Sequence, residues 1–252
     1  DARSTVTDII ARVQKEGDAA LRDMAKKYVE LEDIAVSDEV REAAYEQVET
    51  PVVESLIEAH ARIERFHELQ KPRDLWLQEM EPGVVLGIKT TALNRVGIYV
   101  PGGRPVYPSS ALMCAVPARV AGVKEGCACS PPPIKPLTLV ALDIAGVTEI
   151  YQAGGAQAVA AMALGTESVK PVQKIVGPGN VYVTLAKMML REKAEIDFPA
   201  GPSEIGIIAD STADPRIIAA DILAQAEHDP NAACILITPD KALPAKVGRE
   251  IR

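Results

Sequence analysis

Close to the end of the chain, Gln225-Ala226-Glu227-His228 stands just before Asp229-Pro230, a pair that stops a helix. Gln225 and His228 are three residues apart, so on a helix both project from one face and can touch one object. Imidazole is a common zinc ligand, and an amide oxygen is an unusual one that suits a site with changing coordination. A polar helix end accounts for the same residues without a ligand, and the residues by themselves leave both readings open. The other two histidines, His60 and His67, lie seven apart on nearly the same side of a helix. With no third ligand at matching spacing, they read as ordinary residues at the edge of an amphipathic helix.

Gly154-Gly155-Ala156-Gln157 and Gly177-Pro178-Gly179-Asn180 each lead from a strand-like run into a helix-like one. Free backbone N–H groups at such a turn can receive a pyrophosphate, although glycines there also serve tight packing. The usual dinucleotide fingerprint G-x-G-x-x-G is absent, since Gly179 is followed by Asn180-Val181-Tyr182. Cys114, Cys127, Cys129 and Cys234 match no zinc or redox spacing and sit in apolar segments, so they read as buried small hydrophobes in a reducing compartment.

These groups need elements to hold them. The first 70 residues are charged and helical in period, with a start signal at Thr50-Pro51, where Thr can cap and Pro fits the first turn. Val53, Leu56, Ile57, Ile63, Phe66 and Leu69 then form an apolar stripe. Beyond Lys89, short apolar runs alternate with Ala-rich helices, the pattern of βα units on a parallel sheet. Strands are predicted at 96–100, 127–130, 149–152, 174–176 and 196–198. Each is followed by glycine, proline or both, and in a parallel sheet those five loops gather along one rim, where a ligand is expected. A further unit follows, with strands at 205–209 and 234–237 and a helix over 215–228. The predicted fold is therefore α/β: two doubly wound Rossmann-like domains with parallel sheets, the second incomplete, preceded by N-terminal helices. The expected divisions are 1–94 (helices and the start of a substrate and metal domain), 95–203 (nucleotide domain) and 204–252 (continuation of the substrate and metal domain).

A chain of 252 residues, 48% hydrophobic, can bury a substantial core. Its net charge of −8 is scattered, without the basic stripe that nucleic-acid binding needs, and no stretch reaches the roughly 18 apolar residues of a membrane span. Neither nucleic acid nor membrane is an expected partner. The start at Asp1 and the stop at Arg252 within a helix-like run both read as truncations.

NRVGIYVPGG from Asn94, PARVAG from Pro117, YQAGGAQAVAAMALGTESV from Tyr151, KIVGPGNVYVT from Lys174, IDFPAGPSE from Ile196 and DILAQAEH from Asp221 resemble the histidinol dehydrogenase family, in its order and with similar spacing. The opening helices and FHELQ from Phe66 fit as well, so the resemblance covers essentially the whole chain. It implies that Tyr99, Gln157 and Asn180 contact NAD, that Ser203 touches the substrate, and that Gln225 and His228 are two of four protein ligands to zinc, both close to the substrate. Glu227 has no role in that pattern. The family's general base, the His of a Glu-His pair, and its other zinc ligands, an Asp and a His, lie downstream of Arg252, the last coming from the partner subunit.

The activity implied is oxidation of L-histidinol to L-histidine through a bound aldehyde, by two hydride transfers to NAD with zinc assisting, in a cytoplasmic homodimer with a shared active site. A paralogous dehydrogenase acting on another polar alcohol, such as a sulfonated diol, is the nearest alternative. An inactive nucleotide-binding module is the alternative of another class. The presence or absence of the downstream Glu-His pair separates it from an enzyme.

Overall fold

Alternation of side chains in the apolar runs explains why helices cover both faces of the main sheet. The computed structural model describes residues 1–103, 106–199, 204–227 and 232–251, and its contacts separate two compact units, Asp1–Pro199 and Ala200–Arg252. The first unit opens with helices α1 (Ala2–Glu16), α2 (Asp18–Ala25), α3 (Asp38–Tyr45) and α4 (Thr50–Glu68). A hairpin of β1 (Leu75–Glu81) and β2 (Val84–Lys89) follows. The βα series then runs β3 (Arg95–Tyr99), α5 (Pro108–Val120), β4 (Glu125–Ser130), α6 (Pro136–Ile144), β5 (Glu149–Gln152), α7 (Gly155–Leu164), β6 (Lys174–Val176), α8 (Val181–Met189) and β7 (Glu195–Ile196).

The five strands of that series form one parallel sheet in the order β5-β4-β3-β6-β7. The chain starts in the middle, winds outward to β5, and returns to place β6 on the other side of β3, so a topological switch point lies between β3 and β6. Ile98, Val100, Ala128 and Ile150 pack on one face with residues of α3, α4, α5 and α6. Tyr99, Cys127, Cys129, Tyr151 and Ile175 pack on the other with residues of α1, α2, α7 and α8. Adjacent residues such as Ile98 and Tyr99 therefore serve opposite cores, as the pleat requires. The doubly wound parallel fold read from the sequence is the one observed.

Local chemistry fixes the helices that precede the sheet. Gly17 separates α1 from α2 against Glu167, whose carboxylate accepts the Asp18 N–H at 2.7 Å. Asp18 in turn accepts the Ser168 N–H at 3.3 Å and the Ser168 hydroxyl. Arg41 on α3 pairs with Asp143, which also accepts the Tyr45 hydroxyl at 2.8 Å. Residues 34–36 run antiparallel to the edge of β5, with Val36 N–H donating to the Ile150 carbonyl at 2.8 Å and Gln152 N–H to that of Ile34 at 2.7 Å. That strip covers an edge that would otherwise offer unpaired backbone groups.

Helix α4 differs from the sequence reading in two details. Helix α4 is N-capped by Glu49 without a side-chain hydrogen bond, and Thr50 is already inside the helix. Of the anticipated stripe, Val53, Leu56 and Ile63 pack against the core, whereas Ile57, Phe66 and Leu69 are exposed. Leu69 already lies at the C-cap, past the last helical turn.

The second unit contains β8 (Ile205–Ile208), α9 (Pro215–Ala226), β9 (Cys234–Ile237) and α10 (Leu243–Glu250), with β8 and β9 parallel. Its small core joins Ile218 and Ala219 of α9 to Leu243 and Val247 of α10, with Ile207 and Leu236 packed against them. No helix among the described residues is long and apolar enough to cross a membrane.

Candidate functional site

A cleft of about 1100 Å³ opens at the carboxyl ends of β3, β4, β5 and β6. Pro101 and Gly102 after β3, Pro131 after β4, Gly154 and Gly155 after β5, and Pro178 and Gly179 after β6 all line it. Four of the five rim loops anticipated from the sequence therefore meet at one place. Most of the fifth, 200–203, lies outside the described residues. The N-terminal helices supply a wall that the sequence did not foretell: Thr5, Ile9, Leu21, Met24, Lys27 and Tyr28 also face the cleft.

The switch point is closed so tightly that side chains are excluded. At Gly177 φ is +117°, and a Cβ there would collide with the Tyr99 carbonyl oxygen at the end of β3. At Gly154 a Cβ would stand 2.5 Å from Pro131 Cγ, so the β4 and β5 loops touch as well. Glycine at these positions keeps the cleft floor made of backbone, which an extended ligand can approach closely.

Tyr99, Gln157 and Asn180 all line this cleft. Tyr99 is buried, its hydroxyl accepts the Gly155 N–H at 3.0 Å, and burial raises its pKa above the ordinary tyrosine value. It thereby ties the end of β3 to the start of α7. Helix α7 has Gly154 as N-cap with no side-chain cap hydrogen bond, so beyond the Gly155 N–H that Tyr99 takes, its first turn is open to an anionic ligand. Helix α8 differs. Asn180 Oδ1 accepts the N–H groups of Tyr182 at 3.0 Å and Val183 at 3.2 Å. The second glycine-rich lead-in does not present a bare helix end, because Asn180 caps its own helix, and what it can offer a nucleotide is its amide NH₂.

Among the described residues lining the cleft there is no aspartate or glutamate, while Lys27 and Lys135 both face it. In a chain of net charge −8 this local positive balance favours an anionic ligand. Volume, backbone floor, open helix end and charge together fit a dinucleotide.

The other anticipated site is only partly visible. Gln225 lies in the last turn of α9, and His228 and Ser203 lie outside the described residues. Among the described residues, no group of three or more His, Cys, Asp or Glu could hold a metal ion. His60 and His67 both lie on α4, where the His60 Nε2 is buried without a hydrogen-bond partner and the His67 ring meets Phe66 edge-on at 5.3 Å. The four cysteines are unpaired. Cys127 and Cys129 are fully buried, and Cys114 and Cys234 partly so. Burial pushes the thiols of Cys114 and Cys127 up to about 11 and keeps them protonated, as expected of inert packing residues.

Fold and cleft define a doubly wound α/β protein with an open cleft at the switch point of its parallel sheet. A family model for histidinol dehydrogenase matches residues 1–252. The chain belongs to the histidinol dehydrogenase family. It is 49% identical over 257 residues to the histidinol dehydrogenase of Methanosarcina barkeri, covering 100% of this chain and 59% of that protein. It is 50% identical over 253 residues to that of Methanothermobacter thermautotrophicus, covering 98% of this chain and 59% of that protein. The crystal structure of histidinol dehydrogenase from Elizabethkingia anophelis superposes with a TM-score of 0.92 at 37% identity, over 100% of this chain and 59% of that one. The chain thus spans about three fifths of the length of the relatives it matches.

Proposed function

We propose that this chain is the nucleotide-binding part of a longer enzyme that oxidises L-histidinol to L-histidine through L-histidinal with NAD. The observation that carries the reading is the cleft at the β3/β6 switch point, whose described lining residues include Tyr99, Gln157 and Asn180 and no carboxylate, in a chain of this family. We assign NAD binding to 95–203, the N-terminal helices and first part of a substrate and metal domain to 1–94, and the continuation of that domain to 204–252. Bound NAD would supply the two-electron oxidation at each step.

The chain's own residues bind and orient. The open N-terminus of α7 and Lys135 would neutralise pyrophosphate, Asn180 and Gln157 would donate or accept through their amides, and Tyr99 would hold α7 in register. The N-terminal helices would shield one side of the bound nucleotide from water.

Zinc enters this reading through Gln225 and His228 as two of four ligands in the full-length protein, with Ser203 and these two residues near the substrate. Two ligands from one helix leave an ion half coordinated, so the 252-residue chain alone is expected to bind zinc weakly and to be inactive. A cytoplasmic homodimer whose partner completes the metal site is part of the same proposal, and the four unpaired cysteines agree with a reducing compartment.

Histidinol-dependent NADH formation by the full-length gene product, with and without a chelator, tests the reading. Activity lost on chelation and restored by zinc supports it. NADH formation from a different polar alcohol, with none from histidinol, would overturn the substrate assignment. His228→Asn is expected to lose zinc and turnover together while the fold survives.

A further inference from the structure

Gly177 is where the cofactor loop after β6 meets the end of β3, and both of its peptide groups are held by side chains that do not line the cleft. Its N–H donates to Asp197 Oδ2 at 2.8 Å, and its carbonyl accepts from Lys187 Nζ at 3.0 Å. Lys187 and Asp197 also form an ion pair with each other. Lys187, on α8, is only 2% exposed, and it stands out because buried lysines are rare and unfavourable unless paired. Asp197 follows β7 directly, so the pair bridges two successive units of the sheet at its carboxyl edge.

An apolar pair of similar volume would join α8 to β7 equally well, since buried ion pairs seldom stabilise more than hydrophobic replacements. What an apolar pair cannot do is satisfy both the N–H and the carbonyl of a glycine held at φ +117°. That peptide immediately precedes Pro178, Gly179 and Asn180, three residues that line the cleft.

We infer that Lys187 and Asp197 are positioning residues for dinucleotide binding: together they clamp the Gly177 peptide and so set the Pro178–Asn180 loop against the ligand. The inference rests on the NAD reading above.

The test uses the full-length gene product, with NAD+ affinity measured by calorimetric titration and the KM for NAD+ and for histidinol measured separately. Lys187→Met is expected to raise the Kd for NAD+ roughly tenfold to a hundredfold, the scale of a misplaced binding loop. Asp197→Asn, which keeps the shape and one acceptor, is expected to raise it several-fold. In both, the KM for NAD+ rises and the KM for histidinol does not. The double variant Lys187→Met/Asp197→Leu separates positioning from stability: its melting temperature is expected to return towards wild type while its NAD+ affinity stays weak. A double variant that binds NAD+ as tightly as wild type overturns the inference, as does an unchanged Kd in folded Asp197→Asn, which decides the matter if the other variants do not fold. If wild type itself fails to bind NAD+, the functional reading falls first and this inference with it.

Discussion

Strands β3 and β8 are both short, apolar and parallel to their neighbours, yet they live in different surroundings. All five residues of β3 are buried, whereas β8 alternates between half-buried and exposed residues, with Ile208 82% exposed. The reason is the number of layers. Strand β3 has β4 and β6 on its flanks and helices on both faces, while among the described residues β8 pairs only with β9, and the helices that contribute to the core beside it are α9 and α10. Ile217, Ile235 and Ile237 are exposed in the same unit. The first unit completes its own core, and the smaller second unit leaves an apolar surface of the kind that larger assemblies cover.

Core truncation is the most forceful way to break that comparison. Ile175→Ala, at a fully buried position in β6, should cost about 2–5 kcal/mol in denaturant unfolding of the 252-residue chain. Ile235→Ala in β9, 55% exposed, should cost less than about 1 kcal/mol in the same measurement. Equal costs would mean that the two units are equally closed. Glycine substitution sharpens the same contrast. Gly177→Ala meets both a strained φ and the Tyr99 backbone and should cost about 3 kcal/mol, whereas Gly206→Ala in β8 has nothing within 4 Å of the new methyl and should lie within about 0.5 kcal/mol of wild type.

A smaller effect comes from the amino edge of the sheet, away from the cleft. Arg95 at the start of β3 donates to Glu149 at 2.5 and 2.9 Å and to Glu125 at 3.1 Å. The hydrogen bond from Arg95 holds the Glu149 carboxyl below its ordinary range, assisted by the Tyr151 hydroxyl. A depressed carboxyl contributes stability that is present above its unfolded pKa of about 4.3 and is lost as pH falls through the lower folded value. The melting temperature should therefore drop more steeply on acidification in wild type than in Glu149→Gln. Parallel acid limbs in the two proteins would remove this pair from the account. At neutral pH the substitution should cost about 2 kcal/mol, because it leaves Arg95 buried with one fewer charged partner.

The same contrast governs what the sequence could reveal. Strands at Glu149–Gln152, Lys174–Val176 and Cys234–Ile237 were legible to the residue, because glycine, proline or a polar run punctuates each one. The β1–β2 hairpin was not anticipated, although Pro82-Gly83 lies between its two apolar runs. Its strands are exposed throughout and lack the inward and outward alternation that marks a covered sheet. The rim was legible because strand-end loops converge by topology alone, whereas Tyr99, Gln157 and Asn180 were singled out on it by the family resemblance. The N-terminal wall was illegible because it brings residues 5–28 against loops far away in sequence, and the Lys187–Asp197 clamp because a helical lysine and a strand-end aspartate ten residues apart carry no spacing signature. Lys187 reads in the sequence as one more helical lysine, and only its burial sets it apart.

Calorimetric titration of NAD+ into the full-length gene product, comparing wild type with Gln157→Ala and Gln225→Ala, tests the division of labour most directly. The account predicts that Gln157→Ala weakens NAD+ binding about tenfold, an amide contact and its positioning being worth about 1.4 kcal/mol, and that Gln225→Ala keeps wild-type NAD+ affinity while losing histidinol turnover. NAD+ affinity unchanged in Gln157→Ala but lost in Gln225→Ala would contradict it.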